Sequence, residues 1–250
     1  MSKSIKSQTG SEGKIVLQGK NLEKTYKPPV PFAGRRVTVL TGADITLYQG
    51  EIVGIVGENG SGKSTLMKIL VGALQPDGGD VTDDVRIGWC PQETRLYDRL
   101  TVEETFELFA EAYDMSNEYM QKRREALAEK LDFKRFLDYR IDHLSGGNRQ
   151  KVNLSVALLH EPEVLLLDEP YTGFDWETYL AFWNLTDTLV DKGTTIAIIS
   201  HLISERERFD RILELKNGQL HEQEGPPGEP RSAAHREEEK NEEENGSAEN

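Results

Sequence analysis

The stretch GENGSGKST, residues 57–65, carries the glycine-rich pattern G-x-x-x-x-G-K-[ST]. It follows the continuous apolar run EIVGIVG, and the residues KSTLMKILVGAL after it have the apolar spacing of a helix. In this pattern the glycines let backbone N–H groups close around the β- and γ-phosphates of a nucleotide, provided that the loop joins a strand to a helix. Both flanks meet that condition, so the stretch predicts a phosphate-binding loop in an α/β protein.

Each residue of this loop has a predicted part in nucleotide binding. Lys63 supplies a positive charge beside the phosphates, and the Ser64 hydroxyl is a predicted ligand for Mg²⁺. The predicted nucleotide-binding residues of the loop are Gly57, Glu58, Asn59, Gly60, Ser61, Gly62, Lys63, Ser64 and Thr65.

Two adjacent carboxylates end the buried apolar run VLLLDEP, residues 164–170. Asp168 is suited to hold Mg²⁺ through water, and Glu169 is suited to polarise an attacking water. The alternative is a solvated acid pair at a strand end. That alternative is weaker beside a phosphate-binding loop, because Mg²⁺ requires an oxygen ligand of this kind.

Strands and helices alternate along the chain. The β-rich runs KIVLQ, RRVTVL and DITLY precede the loop, VRIGWC, VLLLD and TTIAIIS follow it, and a helix is predicted from Glu177 to Val190. DRILEL and the turn KNG close the folded part. The alternation predicts an α/β fold with a mostly parallel sheet. The 97 residues between Thr65 and Glu163 exceed one crossover connection, so an inserted helical lobe is expected at about residues 94–146.

A second anion-binding feature lies where that lobe rejoins the sheet. The stretch HLSGGNRQK, residues 143–151, runs a serine and two glycines into an apolar-periodic segment. Such a sequence is typical of a helix N-terminus whose backbone N–H groups hold an anion. A chain that binds one nucleotide in the first loop has no obvious use for a second anion site.

Charge and composition limit the classes of protein to which the chain could belong. Of the net charge of −14, the segment from His221 to the end carries −7, and the body is acidic without a Lys/Arg cluster. Nucleic acid is therefore not an expected partner. Residues 1–13 are expected to be flexible, residues 14–222 to form the folded domain, and residues 223–250 to be a disordered acidic tail. With one cysteine and no apolar run of roughly 18 residues, the chain is expected to be soluble and intracellular.

From about Ile15 to Leu220 these motifs resemble, in order, the nucleotide-binding subunits of ATP-binding cassette (ABC) transporters. The resemblance implies a P-loop NTPase with an ABC-type mixed sheet, an N-terminal antiparallel β subdomain and an inserted helical subdomain. It implies that Leu144, Ser145, Gly146 and Gly147 form the signature motif, which binds the nucleotide of an opposite subunit. It implies that ATP and Mg²⁺ are bound, with Ser64, Gln92 and Asp168 as the Mg²⁺ ligands.

The resemblance assigns further roles. Gln92 in CPQE matches the Q-loop, Asp175 in YTGFD matches the D-loop, and His201 in IISH matches the histidine that contacts the γ-phosphate. Glu169, His201 and Gln92 are thereby the expected catalytic residues. Tyr26 in KTY matches the position whose aromatic ring stacks on adenine. Two departures, Asn148 for the usual Gln and Phe174 for the usual Leu, keep an amide and an apolar side chain and predict no loss of activity.

The resemblance also implies partners. Two subunits, as a homodimer or a heterodimer, would close head-to-tail on ATP, and a separate membrane-spanning subunit would hold the chain at the cytoplasmic face of a membrane. The segment IGWCPQETRLYDRLTVEETFELFAEAY is similar to cassettes of drug and lipid exporters. An importer subunit and an ABC ATPase that acts on a soluble complex are the alternatives. A P-loop kinase or GTPase would leave LSGG and the D-loop unexplained.

Overall fold

The strand that precedes the phosphate-binding loop lies in the interior of the larger of two β-sheets. The computed structural model describes residues 13–27, 36–200 and 203–223. Nine strands are formed by these residues: β1 (Ile15–Tyr26), β2 (Val37–Tyr48), β3 (Ile52–Val56), β4 (Gly78–Asp83), β5 (Ile87–Cys90), β6 (Val164–Asp168), β7 (Thr195–Ile199), β8 (Arg211–Lys216) and β9 (Gln219–Gln223). Five α-helices accompany them: α1 (Lys63–Leu70), α2 (Val102–Ala112), α3 (Asn117–Lys130), α4 (Gly146–Leu158) and α5 (Trp176–Asp191).

The larger sheet has six strands in the order β5-β6-β7-β3-β8-β9. All neighbours pair in parallel except β8 and β9, which form an antiparallel hairpin. Apolar side chains cover both faces, as in β3, where Ile52 packs in one core cluster and Val53 and Ile55 in the other. Burial on both faces explains the continuous apolar runs. The predicted α/β fold is confirmed.

The smaller sheet is antiparallel, with the order β2-β1-β4. The sequence predicts RRVTVL and DITLY as two strands, and this is wrong, because residues 37–40 of the first run and all of DITLY lie in the single strand β2. Gly42 adopts φ 93° within β2, and the pairing with β1 shifts register nearby. A bulge of this kind lets one strand continue through residues that the sequence pattern assigns to a turn.

Strands β4 and β9 were not predicted. The Gly-Gly-Asp start of β4 has the composition of a turn, but a Cβ on Gly79 would lie 2.3 Å from the carbonyl oxygen of Lys20 in β1. Position 79 therefore requires glycine because the backbones of β4 and β1 approach closely there. The local sequence of β4 does not reveal this approach, because it depends on a distant strand. Strand β9 continues past the turn that we expected to close the fold.

The helices α2 and α3 lie between β5 and β6 in the chain, where an inserted lobe was expected. Thr101 caps α2 with a capping box to Glu104, Ser116 caps α3, and Ser145 caps α4. The limits of the lobe at 94–146 and of the domain at 14–222 stay predictions. The predicted flexible residues 1–13 and the acidic tail 223–250 lie almost wholly outside the described residues. Across the described ranges, no helix has both the length and the apolar character that crossing a bilayer requires.

Candidate nucleotide-binding site

The phosphate-binding loop has a backbone that requires glycine at three positions. Gly57, Gly60 and Gly62 have φ of 148°, 80° and 107°. A Cβ on Gly57 would lie 2.6 Å from the carbonyl oxygen of Leu215 in β8, and one on Gly62 would lie 3.1 Å from the carbonyl oxygen of Val39 in β2. The left-handed φ angles and the two neighbouring strands therefore fix the backbone of the loop. Within the loop, the N–H of Ser61 donates to the carbonyl oxygen of Glu58 at 3.2 Å.

Lys63, the first residue of α1, closes this loop on itself. Its Nζ donates hydrogen bonds to the carbonyl oxygens of Gly57 at 2.8 Å and Glu58 at 3.0 Å. Burial lowers the pKa of the Lys63 ammonium, and the nearby carboxylates of Glu169 and Asp168 oppose that shift. The ammonium lies where the phosphates of a nucleotide are predicted to bind.

Asp168 ends β6 beside the loop and is 4% exposed. Burial raises the pKa of its carboxyl, a hydrogen bond with Ser64 lowers it, and the charge of Glu169 raises it again. Within the described residues, its Oδ1 is buried without a hydrogen-bond partner. A buried carboxylate oxygen with a hydroxyl beside it fits a divalent cation, because Mg²⁺ takes hard oxygen ligands and would offset the cost of burying the charge. The residues present therefore fit Mg²⁺.

Glu169 follows directly and has a left-handed backbone with φ 50°. Its N–H donates to the carbonyl oxygen of Ile199 at 3.2 Å, and its carbonyl accepts from the N–H of Thr172. This conformation is uncommon for a residue other than glycine, and such residues concentrate at functional sites. The strand end therefore places the Glu169 carboxylate, which is partly exposed, beside the phosphate-binding loop.

Tyr26 at the end of β1 lies against the start of α1. Its hydroxyl is 3.1 Å from Oγ1 of Thr65, and the residue is 43% exposed. The ring is thus held next to the phosphate-binding loop with much of its surface accessible. That placement suits an aromatic ring that stacks on a nucleobase.

Gln92 lies two residues beyond the end of β5 and is exposed. His201 lies outside the described residues, so its role as a γ-phosphate contact stays a prediction. The preceding residue, Ser200, is buried and accepts a hydrogen bond from the Tyr171 hydroxyl at 2.8 Å. Tyr171, which our reading of the sequence did not single out, thereby connects the loop after Glu169 to the end of β7.

The signature stretch opens α4. Ser145 is the N-cap, and its Oγ accepts a hydrogen bond from the N–H of Asn148 at 3.3 Å. Leu144 packs against the apolar core, whereas Gly146 is exposed with nothing within 4 Å of the position of a Cβ. The start of α4 is therefore accessible at Gly146, as an anion site at a helix N-terminus requires, whereas the N–H of Asn148 is already taken by Ser145.

Asp175 is the N-cap of α5. Its Oδ1 accepts from the N–H of Thr178 at 2.8 Å, and hydrogen bonds from the Thr178 N–H and hydroxyl lower the pKa of the carboxyl. This structural role was missed, although an Asp directly before a helical segment is a recognised start signal. The D-loop aspartate thus orders the loop by fixing where α5 begins.

The fold and this site define an ATPase cassette of the P-loop class. The chain belongs to the ABC transporter family: the profile of that family, described as ABC transporter, matches residues 40–172. The chain is similar to the ABC transporter ATP-binding protein NatA of Bacillus subtilis, at 31% identity over 198 residues, and this match covers 74% of this chain and 80% of NatA. It is 34% identical over 181 residues to an uncharacterized ABC transporter ATP-binding protein of Methanocaldococcus jannaschii, covering 72% and 69% of the two chains.

Other relatives are longer. The chain is 30% identical over 223 residues to the probable multidrug ABC transporter ATP-binding protein YbhF of Escherichia coli, and this match covers 84% of the chain but 37% of YbhF. Among solved structures, a dimeric post-hydrolysis state of the ATP-binding cassette MJ0796 bound to ADP and Pi is similar with a TM-score of 0.76 at 29% identity. That match covers 85% of this chain and 100% of the other. The predicted ABC-type fold is thereby confirmed, and the chain is an ATP-binding subunit of the ABC class.

Proposed function

We propose that this chain hydrolyses ATP within a head-to-tail dimer of cassettes and so drives a separate membrane-spanning subunit, as part of an exporter. The observation that carries the proposal is the exposed Gly146 at the start of α4, where a Cβ would meet nothing within 4 Å. A phosphate-binding loop holds a nucleotide from one side, and the backbone at the start of α4 would supply N–H donors for the γ-phosphate of a nucleotide held by another subunit. Two subunits that exchange these surfaces enclose two ATP molecules.

The residues of one subunit divide the work of hydrolysis. Lys63 transfers its hydrogen bonds from the loop carbonyls to the phosphates, and the Glu169 carboxylate accepts a proton from the attacking water. Ser64, Asp168 and Gln92 would hold Mg²⁺, which would supply positive charge beside the phosphates. His201 and the partner subunit's signature turn stabilise the charge that develops on the γ-phosphate.

A groove beside the Q-loop supports the proposed membrane partner. It has a volume of about 330 Å³ and lies between β5 and α2, with Trp89, Pro91 and Phe109 among its lining residues. A mostly apolar groove of this size is suited to a short apolar segment of another protein. Its occupant in this proposal is a cytoplasmic segment of the membrane-spanning subunit, which places the chain at the cytoplasmic face.

Export is supported by the names of relatives, which include the probable multidrug protein YbhF and a Nod factor export ATP-binding protein of Rhizobium meliloti. An importer subunit is the second candidate. Affinity purification from membranes distinguishes the two through the identity of the membrane-spanning subunit that is recovered. Recovery of a soluble complex instead would favour an ABC ATPase that moves no solute.

The substitution Glu169→Gln tests the chemistry. It should preserve ATP binding, lower kcat by roughly 10²–10⁴-fold, and accumulate an ATP-bound dimer that gel filtration resolves. Lys63→Ala is the matched variant, which should lose ATP binding and form no dimer. Hydrolysis close to wild type in Glu169→Gln would move the catalytic role elsewhere, and wild-type protein without ATPase activity would refute the proposal.

A further inference from the structure

A buried polar contact joins the Q-loop to the signature helix. Asn153 lies on α4 and is 5% exposed, and its Nδ2 donates a hydrogen bond to the carbonyl oxygen of Pro91 at 3.0 Å. The same Nδ2 lies 3.2 Å from Sγ of Cys90, the last residue of β5. Gln150, one turn earlier on α4, adds a contact from its Nε2 to the same sulfur at 3.7 Å.

This contact lies where two functional segments begin. Pro91 is the residue immediately before Gln92, and its carbonyl is the last backbone acceptor before the Q-loop side chain. On the other side, Asn153 is eight residues from Ser145 along the chain, or about 12 Å along the helix. A helix is stiff over two turns, so a displacement of Pro91 that keeps this hydrogen bond displaces the signature turn as well.

The surroundings make the contact costly to break without replacement. Cys90 is fully buried, and burial raises the pKa of its thiol, which therefore stays protonated and neutral. The Pro91 residue is buried as well, so its carbonyl has poor access to water once Asn153 is removed. Breaking the contact would therefore leave a buried acceptor without its donor.

We infer that Asn153 is a positioning residue that couples the place of Gln92 at the nucleotide to the place of Ser145 at the partner's nucleotide. This inference rests on the proposed function for its consequence in hydrolysis, but its structural content does not. Movement of Gln92 toward or away from a bound nucleotide is passed through Pro91 and Asn153 to α4. Within one subunit, the state of one site thereby sets the position of the donors that serve the other.

Two variants and one control test the inference. Asn153→Leu keeps the number and branching of the side-chain heavy atoms but is larger and lacks the amide, whereas Asn153→Ala removes the amide and leaves a hole. The control is Ser155→Ala on the same helix, which removes an equally buried hydrogen bond, from Oγ of Ser155 to the carbonyl oxygen of Lys151, that stays within α4. Melting curves identify which variants fold, and a loss of ATP binding identifies damage to the phosphate-binding loop.

The first measurement needs no nucleotide. The chain has one cysteine, so reaction with the thiol reagent DTNB reports Cys90 alone. Cys90 is fully buried, with the side chains of Gln150 and Asn153 of α4 against its sulfur, so separation of α4 from the end of β5 exposes the thiol. Asn153→Leu should therefore react at least about tenfold faster than Ser155→Ala, whose rate should match the wild type. Equal rates in the two variants would overturn the inference, whether or not the protein hydrolyses ATP.

The second measurement separates positioning from stability. In Asn153→Leu, or in Asn153→Ala if the leucine does not fold, KM for ATP should stay within about twofold while kcat falls about tenfold or more. Ser155→Ala should retain both constants. An unchanged kcat in both Asn153 variants, or an equal loss in Ser155→Ala, would refute the coupling. Absence of ATPase activity in the wild type would instead refute the proposed function and leave the thiol result to decide.

Discussion

Gly147 in the first turn of α4 packs directly against Gly173 in the loop before α5. A Cβ on Gly147 would lie 2.4 Å from the carbonyl oxygen of Gly173, closer than non-bonded atoms approach. Gly173 itself has φ 83°, a conformation that favours glycine. The signature turn and the D-loop are therefore in backbone contact within one subunit, and the position of one depends on the other.

The substitution Gly147→Ala should separate these two segments. The methyl group cannot be accommodated against a backbone oxygen without moving α4 or the loop, so we expect destabilisation of about 1–3 kcal/mol, typical of overpacking, and a loss of hydrolysis. Gly146→Ala, one residue earlier, meets nothing within 4 Å and should melt at or slightly above the wild-type temperature, because alanine favours the helix more than glycine does. Calorimetry compares the pair, and equal melting temperatures would contradict the close contact.

The substitution Asp168→Asn should raise the melting temperature of the nucleotide-free protein at pH 7 while abolishing Mg²⁺-dependent hydrolysis. Because burial raises the pKa of the carboxyl in the folded state, the contribution of Asp168 to stability falls as the pH rises from about 4, the ordinary carboxyl value, through the raised value. Asparagine carries no charge at any pH. The increase in melting temperature should therefore vanish in acid, where Asp168 is protonated in both the folded and the unfolded state.

Asp77 provides the opposite case for comparison. Hydrogen bonds from the Thr25 N–H and from Lys24 lower the pKa of its carboxyl. Its charged form thus stabilises the fold above the ordinary carboxyl pKa, and this contribution is lost as the pH falls through the lowered value. Asp77→Asn should lower the melting temperature at pH 7. A higher melting temperature for Asp77→Asn, or a lower one for Asp168→Asn, would contradict the pKa directions given for these two carboxyl groups.

Two substitutions of Tyr26 should distinguish the contribution of its ring to ATP binding from that of its hydroxyl. Tyr26→Phe removes the contact with Thr65 but keeps the ring, so ATP affinity should change little. Tyr26→Ala removes the stacking surface and should weaken ATP binding by about 1–3 kcal/mol, by analogy with base stacking on aromatic side chains. Isothermal titration measures both. If the phenylalanine variant lost as much affinity as the alanine variant, the hydroxyl and not the ring would carry the contact.

Complementation between two inactive variants tests the head-to-tail arrangement. Ser145→Arg blocks the signature turn, and Lys63→Ala disables the phosphate-binding loop. Each homodimer then has two defective sites, but in a heterodimer one site combines an intact Lys63 with an intact Ser145. Mixing should therefore restore phosphate release or ATP-dependent dimerisation.

A mixture as inactive as its parents, with heterodimers shown to form, would rule out the arrangement in trans. Because hydrolysis in some dimers requires both sites, dimerisation is measured beside turnover. Mixing Ser145→Arg with itself at the same total concentration serves as the control.

Much of the candidate site could be proposed from the sequence, because its residues lie in short contiguous stretches. Residues 57–65 and the pair Asp168 and Glu169 are recognisable since a glycine-rich loop and a strand-end acid have few other uses in combination. Long-range contacts were not predictable in the same way. The approach of Gly147 to Gly173 and the hydrogen bond from Asn153 to Pro91 depend on tertiary packing. The residues around each of these positions form no local pattern that indicates which distant residue they contact.

The fold shows the same division. Strands buried on both faces, such as β6 and β7, were predicted to within two residues because a continuous apolar run is distinctive. Strand β4 was missed because Gly78 and Gly79 suit a turn, and only the backbone of β1 beside them explains why glycine is needed. Sheet edges and bulges are set by neighbours, so their residues carry weak local signals.

The hydrogen bonds of Lys63 to its own loop have a kinetic consequence. These hydrogen bonds and the left-handed backbone of Gly57, Gly60 and Gly62 restrict the loop, so part of its conformational entropy is lost during folding and not during association. ATP must replace two carbonyl oxygens as partners of one ammonium group, and its affinity reflects the difference between these two sets of partners. A loop restricted in this way favours an association rate that is governed by encounter.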